Sequence, residues 1–308
     1  MDFGSADFYR PVEIRKSNAK LFHSAMRSMA LFFRKNTGRQ FGIPRVVATV
    51  ARLFPSTNRL IVAGPDERDF ILPATETGFG IVTGGYGISE IRPFVVRLPL
   101  DAVVIDIGAN LGIWSRLFAE RVTDGHVFCF EPSPGNYLIL SENMSAYANV
   151  TCLDLACSDY TGRTKFSVSG SSGLHHIAQT GEVGAIDVAI TRLDEWASRA
   201  EIKQVDFLKI DVEGHEAEVL RGGQSTIERF RPIVLFEYLP EFDQRSQGGR
   251  AALFKFFESR GYTLSRLDKS GILHLEMENE LPPDWTNDYV AFDRNGWHAV
   301  ALRDIVKN

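Results

Sequence analysis

Val103-Val104-Ile105-Asp106-Ile107-Gly108-Ala109-Asn110-Leu111-Gly112 is the stretch whose reading decides the fold. An apolar, β-branched run ends in an acid, passes through two glycines and enters an apolar segment, Ile113 to Ala119, which is the pattern of a strand turning tightly into a helix. Glycine has no Cβ, so the backbone of such a turn can bend through positive φ and come close to a ligand. Downstream, the chain continues to alternate, with strands predicted at 102–107, 126–131, 150–156, 205–211 and 233–238 and helical segments between them. That alternation implies a parallel sheet covered by helices. An insertion separates the third and fourth strands: 164–168 and 186–191 alternate like strands, and a Gly/Ser-rich segment, 169–184, joins them as a long loop carrying His175 and His176. After Pro240 the pattern predicts a helix at 250–260 and short strands at 262–267, 272–276 and 289–293.

Upstream, 18–54 reads as helical, because Leu21, Ala25, Met29 and Phe33 recur every four residues. Residues 59–73 read as a hairpin and Gly78 to Gly87 as a loop. A chain of 308 residues is long enough for one large core and a small extension, here placed at 85–308 and 1–84. The charge is unevenly distributed: residues 1–54 hold ten Lys/Arg against three Asp/Glu, about +7, so the remainder carries about −12 of the net −5. The basic segment is expected to be an accessory helix docked on the main domain, an interfacial membrane helix or an oligomer contact. Cys129, Cys152 and Cys157 form no CxxC pair and read as buried hydrophobes in a reducing compartment. No apolar run reaches the length of a membrane span and no cleavable leader is visible, so a cytoplasmic location is expected.

Glu131 ends the second strand, 19 residues beyond Gly112, where a carboxylate can accept hydrogen bonds from both hydroxyls of a ribose. Dinucleotide and S-adenosylmethionine binders share that geometry. A pyrophosphate binder would carry GxGxxG, whereas this turn has glycines at 108 and 112 and an acid, Asp106, within it. An acid there repels phosphate and suits a ligand bearing an ammonium and a sulfonium. A turn built only for its shape would explain Gly108 and Gly112 but not Asp106, Asn110 and Glu131 together.

The segments Val104 to Asn110, Phe130-Glu131-Pro132, Leu208-Lys209-Ile210-Asp211-Val212-Glu213-Gly214-His215-Glu216 and Phe236-Glu237, in that order, resemble the FkbM family of methyltransferases over roughly 85–293. The resemblance implies a class I Rossmann-like fold: a seven-stranded, mostly parallel sheet of order 3-2-1-4-5-7-6, its last strand antiparallel, with helices on both faces. It also implies S-adenosylmethionine as cofactor and O-methylation of a hydroxyl on a sugar, glycan or polyhydroxylated natural product. On that basis Asp106, Gly108, Ala109, Asn110 and Gly112 are expected at the methionine end of the cofactor, Glu131 at the ribose, and Ser158 and Asp159 near the adenine. Asp159 can equally cap its own turn.

Methyl transfer needs an aligned nucleophile and an outlet for its proton. Asp211, Glu213, His215 and Glu237 are the candidates, because ligands of open α/β sheets bind beyond the carboxyl ends of the strands. His215 could be the base or a helix-start histidine satisfied by a neighbouring carboxylate, and His175 and His176 are further candidates on the insertion. Asp211 and Glu237 with one more ligand could hold a hard divalent cation, although no metal is predicted. Glu216 and Glu218 are expected on a helix surface. Tyr86, Trp196, Tyr238 and Trp285 are placed in core or rim packing, with stacking on sugars as the alternative. Nucleic acid is not expected, since the fourth strand runs into Asp211-Val212-Glu213-Gly214 and not into the Asn/Asp-Pro-Pro-aromatic segment that grips a flipped base, and the catalytic region is acidic. A catalytically silent scaffold acting through the basic helix, or an N- or carboxyl-methyltransferase, remain the other readings.

Overall fold

The computed structural model describes residues 14–17, 19–37, 42–54, 59–63, 68–83, 88–168, 175–178, 182–238, 249–267, 272–275, 288–296 and 301–307. They divide into two compact units, one over Met1–Ile88 and one from Ser89 onward.

In the first unit, β1 (Ile14–Ser17) precedes two helices, α1 (Lys20–Thr37) and α2 (Ile43–Leu53), and then the strands β2 (Arg59–Ala63) and β3 (Asp69–Pro73) and the helix α3 (Glu76–Val82). The expected hairpin is present, with Leu60 opposite Leu72 and Val62 opposite Phe70. β1, which the pattern did not reveal, adds to it antiparallel along β2. The helical stretch 18–54 forms two helices, and the second starts after Gly42 at φ 71° with Pro44 in its first turn, where a missing N–H costs nothing. The expected Gly-rich loop is instead helical as far as Val82. Thr75 caps α3 by accepting a hydrogen bond from Gly78 N at 3.1 Å, and a Cβ at Gly78 would lie 2.0 Å from Pro73 O, so glycine is there for close approach rather than for a loop. Residues 84–87, Tyr86 among them, lie outside the described residues.

In the second unit, α4 (Ile88–Val95) leads into β4 (Val103–Ile107), α5 (Ile113–Arg121), β5 (His126–Phe130), α6 (Pro134–Met144) and β6 (Val150–Leu153). The insertion carries β7 (Ala156–Ser158), β8 (Gly162–Ser167), β9 (His176–Ile177) and β10 (Ile186–Arg192). The chain then runs through α7 (Leu193–Arg199), β11 (Phe207–Ile210), α8 (Glu216–Gly222), α9 (Gln224–Phe230), β12 (Ile233–Glu237), α10 (Gly249–Glu258), β13 (Thr263–Leu267), β14 (Leu273–Leu275), β15 (Asp288–Phe292) and β16 (Val306–Lys307).

The main sheet has the order β16-β14-β13-β15-β12-β11-β4-β5-β6. Read from β6 inward, this is the expected 3-2-1-4-5-7-6, with β15 antiparallel to both β12 and β13. Two more strands, β14 and β16, lengthen one edge, so the described sheet has nine strands and not seven. The strand expected at 150–156 breaks at Asp154-Leu155. Its first half stays beside β5, while β7 leaves the sheet to pair parallel with β10 in a second sheet, β7-β10-β8-β9. All four residues of β11 are buried, as a strand covered on both faces requires. Ile105, Phe130, Leu208, Val234 and Phe236 form the centre of the core, and Phe236 stacks between Phe257 at 5.1 Å and Tyr289 at 5.6 Å.

This packing brings the carboxyl ends of β4, β5, β11 and β12 to one side of the sheet, and α8 holds β7 close to it. A Cβ at Gly222 would lie 1.8 Å from Ser158 O, whereas one at Gly135 in α6 would meet nothing within 4 Å. Gly222→Ala is therefore expected to destabilise the fold by about 3 kcal/mol and Gly135→Ala by less than about 0.5 kcal/mol, measured by urea denaturation. Equal midpoints for the two variants would contradict this account of the α8 contact.

Candidate active site

The turn after β4 is built on three residues with positive φ: Gly108 at 79°, Asn110 at 53° and Gly112 at 87°. Asparagine is among the few side chains that tolerate this region, so Asn110 fits where most residues would strain. Gly108 N and Ala109 N both donate to Phe130 O at 3.0 Å, tying the turn to the end of β5. Glu131, the next residue, completes the attachment. Its Oε2 accepts from Asn110 N and its Oε1 from Ser133 N, each at 2.9 Å. The carboxyl group is buried, and burial pushes its pKa up to about 7 against the pull of those two N–H groups, Lys209 and Asn136. Four of the five residues expected around the cofactor's methionine end, Gly108, Ala109, Asn110 and Gly112, thus lie on one turn, and Glu131 clamps it from beside the adjacent strand.

Asp106 sits differently from its expected place along an open crevice. It is fully buried, accepts a 2.6 Å hydrogen bond from Ser115 Oγ, and lies 3.0 Å from Lys209 Nζ. Its negative charge is neutralised within the protein, so repulsion of phosphate by Asp106 is weaker than the sequence alone suggested. Lys209, from the middle of β11, is the residue of this candidate site to which the sequence reading gave no role. Its ammonium donates to Gly108 O at 2.9 Å, lies 3.4 Å from Asp211 Oδ2 and stands 5.3 Å above the Trp114 ring. The available signal was a lysine inside an otherwise apolar strand, Phe207-Leu208-Lys209-Ile210. Sheet register places Lys209 directly beside Asp106. The same two strands come so close that a Cβ on Gly108 would lie 1.8 Å from Asp211 O.

Beyond β11 and β12 the carboxylates gather. Asp211, Glu213 and Glu237 each offer an oxygen within 4.8 Å of the others. Asp288 faces Glu237 across the β12–β15 pairing. Glu213 at φ 57° and Gly214 at φ 96° bend the chain back over the site. Glu237 is half-buried among these groups. Burial first, then the negative charges of Asp211, Asp288, Glu213 and Glu216, push its pKa up to about 10, so it holds its proton at neutral pH. Three oxygens at this spacing can hold a hard divalent cation, which takes carboxylates at short range. Without one, the cluster contains both hydrogen-bond acceptors and a protonated donor.

Glu216 and Glu218, expected on a helix surface, are both buried. Glu216 Oε1 accepts from Val212 N and Gly214 N at 3.2 Å, holding the bend before α8, and burial pushes its pKa up to about 7. Glu218 pairs with Arg221 at 2.8 Å and lies 3.6 Å from His215 Nδ1. The predicted catalytic set is thereby divided. Asp211, Glu213 and Glu237 stand together, whereas His215 has Glu218 on one ring nitrogen and Ser158 Oγ, at 2.8 Å, on the other. Its pKa is lowered by burial, which outweighs the Glu218 and Asp159 charges. This is the arrangement of a helix-start histidine satisfied by its neighbours. Asp159 accepts from Arg221 Nε at 3.0 Å, and its neighbour Ser158 is fully buried. On the insertion, His175 Nδ1 lies 3.5 Å from Asn136 Nδ2, and His176 pairs with Glu182 at 3.3 Å. Trp196 packs edge-on against Phe128 and Phe130, and Tyr238 against Tyr289, while Trp285 lies outside the described residues.

The profile of the Methyltransferase FkbM domain matches residues 106–264. The chain is 31% identical to the 2-O-methyltransferase NoeI of Sinorhizobium fredii, over 50% of this chain and 68% of that one. It is 30% identical to the hexuronic acid methyltransferase AglP of Haloferax volcanii, over 46% of this chain and 60% of that one. The chain therefore spans about two thirds of the first relative and less than that of the second. A crystal structure of the FkbM methyltransferase of Methylobacillus flagellatus KT aligns with a TM-score of 0.46 at 13% identity, over 70% of this chain and 54% of that one.

Two outcomes are expected from this geometry. Lys209→Met strands Asp106 and Asp211 without their cation and should destabilise the fold by about 3 to 5 kcal/mol in denaturant titrations, whereas a loss below about 1 kcal/mol would refute the bridging role. The second concerns pH. Glu237 keeps its proton in the folded state up to about 10 and loses it near 4.5 when unfolded, so folding stability falls as pH rises through that window. Glu131 and Glu216, at about 7, add to the fall only below neutrality. Between pH 7 and 9, Glu237→Gln should therefore lose stability less steeply than the unmodified chain, by roughly 1 kcal/mol per pH unit, as read by thermal unfolding. Parallel curves would mean that Glu237 is not a buried acid.

Proposed function

The chain belongs to the FkbM family of S-adenosylmethionine-dependent methyltransferases, and on that premise we propose that it transfers a methyl group to a hydroxyl of a sugar or similarly polyhydroxylated acceptor. The observation that carries this reading is the meeting of two carboxylate systems at one end of the sheet. Glu131 is clamped on the glycine turn, and Asp211, Glu213 and Glu237 stand at the ends of β11 and β12.

The chemistry of the donor set fits the cofactor. The two oxygens of Glu131 keep lone pairs for a ribose diol, and the turn at Gly108 to Gly112 carries no bulky side chain at its glycines. When bound, S-adenosylmethionine supplies a methyl group activated by positively charged sulfur. The protein's remaining task is to align an alcohol and take its proton. In this reading Asp211 and Glu213 accept hydrogen bonds from acceptor hydroxyls, protonated Glu237 donates one to a neighbouring oxygen, and the proton released as the C–O bond forms passes to a carboxylate of the cluster. Lys209 keeps Asp211 in register with the cofactor turn and is a positioning residue.

A hydroxyl is favoured over a carboxylate as nucleophile because the four acids around Glu237, namely Asp211, Asp288, Glu213 and Glu216, repel an anion, whereas they accept hydrogen bonds from alcohols. The name of one relative, a 2-O-methyltransferase, supports an oxygen acceptor, and that of the other, a hexuronic acid methyltransferase, supports a sugar-type acceptor.

Calorimetry should give micromolar affinity for S-adenosylmethionine, on the order of −8 kcal/mol. Glu131→Ala should weaken it by about 1.5 to 3 kcal/mol. Asp211→Asn should bind the cofactor but lose turnover by about a hundredfold or more, followed by mass spectrometry of glycan acceptors gaining one methyl group. Absence of cofactor binding in the unmodified chain, or full turnover in Asp211→Asn, would defeat the reading.

A further inference from the structure

From Arg15 to Arg59 the chain carries ten Lys/Arg and no Asp or Glu. Within this stretch, α1 buries His23 and Ala30 on one face. Its opposite face carries Leu21, Ala25 and Met29 of the apolar row read from the sequence, followed by Phe32, spaced four, four and three residues apart and so aligned along the helix. Leu21 is 90% exposed and Phe32 65% exposed. Lys20 and Lys35 are exposed at the two ends of that helix. α2 repeats the design: Ile43, Val47 and Ala51 are buried, whereas Val46, Leu53 and Phe54 are exposed beside the exposed Arg45 and Arg52.

A helix apolar on both faces has one face left to cover. The charge pattern selects the occupant. Exposed apolar side chains rimmed by cations, without a single acid, match the boundary of an anionic bilayer, where acyl chains take the apolar groups and phosphates take the ammonium and guanidinium groups. A bilayer also receives separate patches on two helices without demanding shape complementarity. No described helix is long and apolar enough to cross a membrane, so the contact would be interfacial.

We propose that the outward faces of α1 and α2 dock this chain on an anionic membrane surface through Leu21, Phe32, Leu53 and Phe54 and the cations beside them. The proposal does not rest on the acceptor reading above.

Cosedimentation of the full chain tests it, using vesicles of phosphatidylcholine alone and vesicles with about one third phosphatidylglycerol. The unmodified chain should pellet with the anionic vesicles, remain in solution with the neutral ones, and be released by high salt. Leu21→Ser, at the most exposed apolar position, and a separate Lys20→Gln/Lys35→Gln/Arg45→Gln/Arg52→Gln variant should each bind at least about tenfold more weakly while keeping the parent's thermal transition. Binding that is equal on both vesicle types, absent on both, or unchanged in the two variants overturns the proposal. So does light scattering that shows a dimer which Leu21→Ser splits, because the face would then belong to a second copy.

Discussion

Lys209 carries a positive charge into the middle of a parallel sheet, and the arrangement of the site follows from how that charge is neutralised. Its partners are Asp106 on one side and Asp211 on the other, with Gly108 O completing the set. Burying an ammonium without such partners would be prohibitive, so the strands β4 and β11 must keep the register that supplies them. The glycine turn and the acid-bearing bend are consequently held as one body. Gly108 must lack a Cβ for the two strand ends to approach this closely.

A second consequence is electrostatic. Lys209 neutralises Asp106, so the net negative character of the site is concentrated beyond β11 and β12, where Asp211, Glu213, Glu237 and Asp288 meet. Crowded carboxylates cannot all be ionised, and Glu237 keeps its proton. A group of acids that both accepts and donates hydrogen bonds is suited to hydroxyl-rich molecules, whose oxygens need both kinds of partner. The first unit has the opposite sign, with a cationic and partly apolar exterior on α1 and α2. Charge of opposite sign is therefore concentrated in the two units.

The strand, glycine turn and helix around Gly108 and the place of Glu131 just beyond β5 were legible because each depends on local pattern, and the strand order followed from the family resemblance. Less was legible at the candidate catalytic end. His215 is two residues from Glu213 and adjacent to Glu216 in sequence, yet it turns to Ser158 and Glu218. Glu216 and Glu218 follow the charge pattern of an exposed first turn but are buried, because each has a hydrogen-bond donor waiting inside: two backbone N–H groups for one, Arg221 for the other. The helix at α3 was concealed by its two glycines, of which Gly78 serves close packing against Pro73.

By itself the sequence determined the class of fold, the family and the residues placed at the ends of the strands, since periodicity, turn chemistry and spacing are properties of the chain taken a few residues at a time. Only the tertiary structure decided which charges meet. Lys209 reaches the carbonyl of Gly108 across 101 residues of chain. Whether an acid is a free carboxylate, half of a buried ion pair or a retained proton depends on the neighbours that sheet register brings within a few ångströms, and distance in space is what electrostatic energy measures.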